Sequence, residues 1–220
     1  MAAPRSIPLG LGLGAILLLG GCNLFQPRTP EPPSKGDVVI NYSTPVLTLE
    51  TLARAIEAKA AGNSSLAYIG GFADSINAGD AQNFIAFFDP EVVKGWQSVP
   101  GNTLPREWGW ELEKEFFNKI LPVLSGDLFS FEWLEDEQNP NDEDPVPNVI
   151  KVLHRRYQLT ATPEAGGNVV TLAIGYADLT FINSKNRWVI ARWQDRVDPT
   201  VGPNPSSGNQ SFSALRLGQI

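Results

Sequence analysis

From Ile7 to Leu19 the chain is almost continuously apolar, interrupted only by Pro8 and small glycines. The pattern then turns polar: Asn23 to Gly36 carries Pro27, Pro30, Pro32 and Pro33, a composition that favours an extended spacer over a packed element. Within Asp37 to Tyr42 a short β-like run, Val38-Val39-Ile40, is followed by Pro45, which is expected to interrupt regular structure. Helical periodicity begins at Thr48, read as an N-cap, with Leu49, Leu52, Ala53, Ile56 and Ala60 on one face and Gly62 as the stop. A second helix is expected over Ser65 to Ala78, presenting Leu66, Ile69, Phe72, Ala73 and Ile76 and stopped by Gly79. A third, capped by Asp80, is expected over Ala81 to Phe88 and ended by Asp89-Pro90, because proline pushes its predecessor out of the helical region. Pro105 is expected to start a fourth, carrying Trp108, Leu112, Phe116 and Ile120 and stopping near Pro122.

Beyond Pro122 the pattern changes to strands. Leu128 to Leu134 alternates with Phe129, Phe131 and Trp133 on one side, and Asn148 to Thr162, Val169 to Asn183 and Arg187 to Val197 are longer β-prone runs. Gly166-Gly167 and Asn183-Ser184-Lys185-Asn186 supply turns, so an antiparallel meander is expected. The class is therefore α+β: three or four N-terminal helices against a curved antiparallel sheet of about four strands. Gly175, inside a long strand, is a candidate point for the bend. The expected organisation is a leader over 1–21, a tether and lead-in over 22–47, one domain over 48–199 and a flexible tail over 200–220, with Phe212, Leu215 and Leu217 as residues for docking its end.

Arg5 precedes the first apolar run and Leu19-Gly20-Gly21-Cys22 closes it, the layout of an export signal: charged start, apolar middle, small-residue exit. The run is shorter than the roughly 20 apolar residues that a membrane-spanning helix needs. Leu19-Gly20-Gly21-Cys22 resembles the bacterial lipoprotein signal, the lipobox, which implies acylation of Cys22, cleavage before it, and a bilayer as the first partner. An ordinary cleaved signal is the alternative. Acylation gives the single cysteine of the chain a chemical purpose. Two or three acyl chains, at about 0.8 kcal/mol per buried methylene, anchor stably where one does not. Asn23 stands where, by resemblance to Gram-negative sorting rules, an aspartate would favour inner-membrane retention, so an extracytoplasmic outer-membrane destination is expected where the organism has one. The proline spacer, at about 3.1 Å per residue, reaches up to roughly 40 Å from that surface.

Phe72-Ala73-Asp74-Ser75-Ile76-Asn77-Ala78-Gly79-Asp80-Ala81, followed by Phe87-Phe88-Asp89-Pro90-Glu91-Val92-Val93, resembles the opening of nuclear transport factor 2-like domains, a cystatin-like fold shared with SnoaL-like cyclases and ketosteroid isomerases. Arg187-Trp188-Val189-Ile190-Ala191-Arg192-Trp193-Gln194-Asp195 is similar to that fold's last strand, so the resemblance spans about Leu49 to Pro199. It implies a cone-shaped cavity between helices and sheet. In the isomerases such a cavity holds a carboxylate base and a tyrosine with a protonated aspartate; the nearest residues here are Tyr157, Tyr176, Asp178 and Asp195.

Charge and composition narrow the functions. The net charge is −7, and no basic helix is present, so nucleic acid is not an expected partner. His154 is the only histidine, which excludes a zinc site built on several. The acidic run Glu135 to Asp144 has the wrong spacing for a calcium loop and Pro140 where a ligand belongs, so it reads as a solvated hairpin loop. No metal and no cofactor are expected. The catalytic candidates are Tyr176 and Asp178, whose shared face with Ile174 and Thr180 is a candidate inner wall of the cavity, and His154; the plainer reading makes Tyr176 core and pairs Asp178 with an arginine such as Arg156 or Arg192. Trp108, Trp133, Tyr157 and Trp193 are the candidate ligand-binding aromatics, against a plainer role in the core. Strict alternation places Trp188 and Trp193 on opposite faces. The expected function is a membrane-anchored, non-enzymatic module that binds a small apolar ligand or an envelope protein; the rival is a SnoaL or ketosteroid isomerase-like enzyme acting on a small apolar substrate, and a third reading is a structural lipoprotein whose cavity is filled by its own tryptophans.

Overall fold

The structure, a computed structural model, describes residues 41–60, 84–123, 127–163, 167–201 and 210–218. The leader, Cys22, the proline spacer, the Val38-Val39-Ile40 run and the helix expected over Ser65 to Ala78 lie outside the described residues.

Helix α1 spans Pro45–Ala60. It starts earlier than expected because Thr44, not Thr48, is the cap: the Leu47 N–H donates to Thr44 Oγ1 at 3.2 Å, and Pro45 takes the first helical position, where its missing N–H costs nothing. Its apolar stripe, Leu49, Leu52, Ala53 and Ile56, is buried as the periodicity predicts. The expected third helix is replaced, over its described residues, by strand β1, Ile85–Phe87. Asp89-Pro90 does not end a helix; it begins α2, Pro90–Gln97, with Asp89 as N-cap accepting from the N–H groups of Glu91 and Val92. A two-residue strand β2, Trp108–Gly109, then precedes α3, Trp110–Val123, which starts five residues after Pro105.

The remaining strands are β3 (Asp127–Glu135), β4 (Glu143–Val146), β5 (Ile150–Pro163), β6 (Val170–Ser184) and β7 (Arg187–Val197). The sheet is mixed and has seven strands, in the order β2-β1-β7-β6-β5-β3, with β4 also paired to β5. Its antiparallel centre of β3, β5, β6 and β7 is the expected four; the enlargement comes from β1, which runs parallel to β7, from β2, and from β4, which begins at the end of the segment read as a loop. Lys185 and Asn186, both at positive φ, make the two-residue turn between β6 and β7, the conformation whose twist suits a hairpin.

Two register shifts bend the long strands. Thr180 pairs with Arg192 but Phe181 with Ile190, leaving Ala191 extra on β7. The extra residue reverses the alternation, so Trp188 lies on the same face as Trp193 and packs on the core, contrary to the strict period of two. Gly175 serves close packing: a Cβ there would lie 2.7 Å from Cζ of Tyr157 and 2.8 Å from the carbonyl oxygen of Arg196.

One face of the sheet is covered by α1, α3 and a last helix, α4 (Phe212–Leu217). The packed body therefore continues past residue 199: in the segment expected as a flexible tail, two of the residues read as docking its end, Phe212 and Leu217, are at 0% and 1% exposure. Gln210 anchors its approach, with its carbonyl accepting from Ile174 N at 2.9 Å.

Candidate functional site

The described chain places its polar chemistry in two clusters, one on each face of the sheet. Tyr157 and His154 are three positions apart in β5, an odd number, so they point to opposite faces; the same parity separates Asp195 from Arg196 in β7 and Gly175 from Asp178 in β6.

The helix-covered face holds the aromatic candidates. Trp133, Tyr157 and Trp193 form a mutual cluster with ring centres 5.5 to 6.3 Å apart, and Phe212 reaches into it at 4.8 Å from Tyr157 and 5.4 Å from Trp193. Trp108 lies edge-on to Phe88 at 5.3 Å and to Phe116 at 6.3 Å. These rings are interior packing. Buried among them are two acid-centred sets. Tyr157 Oη donates to Asp195 Oδ1 at 2.7 Å and accepts from Phe212 N at 2.8 Å; Ser213 N donates to Asp195 Oδ2 at 2.5 Å. Glu113 accepts Trp108 Nε1 at 2.5 Å and takes Arg216 through two bonds, from Nε at 2.9 Å and Nη2 at 2.8 Å. All of Tyr157, Asp195, Glu113 and Arg216 are at 0% exposure.

The electrostatics follow from that burial. Loss of water pushes the Asp195 carboxyl up; Arg216 and the hydrogen bonds from Ser213 and Tyr157 pull the other way and only partly offset it. Burial, reinforced by the adjacent Asp195 charge, holds the Tyr157 hydroxyl far above its usual range. Arg216, although burial opposes its charge, is held ionised by Glu113 beside it. Among the described residues this interior holds the Glu113–Arg216 ion pair and the hydrogen-bonded Asp195, and α4 supplies partners to both.

The opposite face gathers the three catalytic candidates. His154 Nδ1 lies 2.7 Å from Asp178 Oδ1, and Tyr176 sits one alternate position along β6. Asp178 pairs with an arginine as the plainer reading has it, but with Arg196, at 2.8 Å, in place of Arg156 or Arg192, and the same Arg196 nitrogen reaches Asp136 at 2.6 Å. Arg156 pairs with Asp198. Tyr176 and Asp178 thus line the face away from the helices and not the inner wall of a helix-covered cavity. The segment 136–142 reaches over this face where Gln138 Nε2 donates to Tyr176 Oη at 3.5 Å; at its other end Asp142 takes both terminal nitrogens of Arg155, which has the parity of Tyr157, at 2.7 and 2.9 Å. Despite desolvation, Arg155 lowers the Asp142 carboxyl below its ordinary value.

Glu113, Arg216, Arg196 and Asp136 were not singled out from the sequence. Glu113 had a readable signal: it is three positions from both Trp110 and Phe116, so helical geometry puts a carboxylate on an apolar face. Arg216 stands four positions after Phe212, between two leucines. The contact of Arg196 with Asp136 joins residues 60 apart and leaves no local trace.

Among the described residues no three His, Cys, Asp or Glu side chains group as metal ligands, and no helix is long and apolar enough to cross a membrane. No protein-family model matches the chain, and no curated protein matches it. Among solved structures it is similar to the association domain of CaMKII from C. elegans, at 16% identity and a TM-score of 0.43 over 69% of this chain and 92% of that one. A protein of unknown function from Mycobacterium tuberculosis gives 16% identity and 0.44 over 79% of this chain and 92% of that one. A protein of unknown function with a cystatin-like fold from Nostoc punctiforme gives 13% and 0.39 over 70% and 92%. Likeness at this level carries no argument about function, which has to come from the chain's own geometry.

Proposed function

We propose that this chain is a lipid-anchored, extracytoplasmic, non-enzymatic module, held to a bilayer through acylated Cys22 and built on a nuclear transport factor 2-like domain that works by binding a partner at the envelope. The observation that supports a non-enzymatic role is the closed interior: every hydrogen bond described for the Asp195 carboxylate comes from Tyr157 or from α4, and those of Glu113 come from Trp108 and Arg216. With its own last helix filling the space where a small substrate would sit, the resting domain has its outer surfaces to offer, which favours a protein partner over a small apolar ligand.

The rival, an isomerase-like enzyme, draws support from a buried acid with a raised pKa bonded to a tyrosine. That pair is engaged by the N–H groups of Phe212 and Ser213, both on α4, and is at 0% exposure, which argues against access by a substrate.

The anchor is tested by fractionating cells that carry the wild type or Cys22→Ser. The wild type should partition with membranes and show globomycin-sensitive processing, and the serine form should lose both; unchanged membrane association of the serine form overturns the anchor. Native mass spectrometry of the delipidated protein from its own host separates the roles: a co-purifying protein supports assembly, and turnover of a retained small molecule supports the enzyme.

A further inference from the structure

We propose that the interior site beneath α4 binds an organic cation carrying an apolar body, and that Arg216 is its resident occupant. This goes beyond the assembly role and rests on that reading only for its closed starting state.

The carboxylate of the site belongs to the scaffold. Glu113 is carried by α3 and bonded by Trp108 Nε1 from β2, so it has a partner that does not depend on α4. The guanidinium carbon of Arg216 lies 4.7 Å from the centre of the Trp193 ring, 5.4 Å from that of Phe212 and 5.8 Å from that of Phe116. A carboxylate within a box of aromatic faces is the composition that recognises ammonium and guanidinium groups. Of these walls only Phe212 departs with α4; Glu113, Trp108, Phe116 and Trp193 remain on α3, β2 and β7.

Two further observations point to exchange. Helix α4 has six residues, far below the roughly 12 to 15 at which an isolated helix becomes even marginally stable, so its order depends on this docking. A ligand that takes over the contacts of Arg216 therefore competes with a short segment and not with the whole fold. The resident is also an imperfect fit: Arg216 Nη1 and Trp193 Nε1 are both buried without a hydrogen-bond partner among the described residues. A cation with a hydroxyl or carbonyl on its body would give Trp193 Nε1 the acceptor that Arg216 does not.

The probe is n-butylguanidinium, with n-butylurea as its neutral counterpart, added to the full mature chain. Hydrogen exchange of the amides of 212–217 should rise about ten-fold and saturate in the millimolar range with the cation, with an accompanying change in tryptophan emission, and should not respond to the urea. In Glu113→Gln, where exchange over 212–217 is already raised by loss of the partner of Arg216, the cation should add nothing further. In Arg216→Ala the same cation should raise the thermal midpoint by several degrees through ligand linkage; if that variant does not fold, the wild-type exchange decides alone. An equal response to both probes, or none to the cation at about 50 mM, overturns the proposal. A chain that ignores the cation yet still associates with membranes through Cys22 and retains a protein partner loses this inference and keeps the assembly role.

Discussion

At the scale of single residues, the pair Glu113 and Arg216 concentrates the risk in this fold. Both are at 0% exposure, 103 residues apart, and joined by two bonds. Removing one member strands the other charge in an aromatic interior, a change that costs about 3–5 kcal/mol, whereas replacing both with apolar side chains of similar volume is often neutral. Arg216→Met should therefore lower the urea midpoint steeply, and Glu113→Leu combined with Arg216→Met should recover most of the loss. A single variant that loses less than about 1 kcal/mol would show that the pair is hydrated and not buried. One half of this pair could be read from the chain: Glu113 stands on the apolar stripe of a periodic helix, where a carboxylate needs a partner. Its partner could not, because the pairing depends on how a segment beyond a Pro/Ser/Gly/Asn stretch returns to the sheet, and nothing local to Arg216 records that return.

Among the elements, the prolines are where local reading and fold diverge. Pro45 and Pro90 each follow a capping residue, Thr44 and Asp89, and each occupies a first helical position. Read as breakers they move two helix starts; read as N1 residues they predict them. The periodic stripe of α1 and the three long strands were legible because burial on one face imposes a period that survives in sequence. Strand β1 was not, since three residues are too few to show a period, and its pairing is supplied by β7, more than 100 positions away. Asp89 also carries more than a cap. Its Oδ2 accepts Val197 N at 2.9 Å, and its own N–H donates to Ser213 Oγ at 2.9 Å, so one turn ties α2 to β7 and α4. Asp89→Ala should cost about 1–2 kcal/mol, the upper part of the range for a lost N-cap. Hydrogen exchange should then quicken over 90–97. A loss of only a few tenths with unchanged exchange would mean that the Val197 tie is dispensable.

For the whole molecule, the buried interior and the ion pairs outside it form two electrostatic regimes, and their opposite pH responses can be measured. Outside the core Asp142 and Asp198 are lowered from 3.8, despite desolvation, by Arg155 and by Thr200 with Arg156 respectively. Carboxyls of this kind stabilise the fold above 3.8 and lose that contribution as pH falls through their folded values. Inside, Asp195 is raised from 3.8 by burial, so its sign is reversed: its contribution is complete below 3.8 and is lost as pH rises through the folded value. The wild type should therefore be most stable in mildly acidic solution, weakened on the acid side by the outer pairs and on the other side by the interior acid. Asp195→Asn removes only the second effect. Urea midpoints measured from about pH 3 to about pH 8 should show the wild type declining above its optimum and the asparagine form nearly level there, with the acid limb unchanged in both. If the asparagine form keeps the same decline, the ionisation of Asp195 is not its source, and the closed interior must already admit enough water to hydrate that carboxylate.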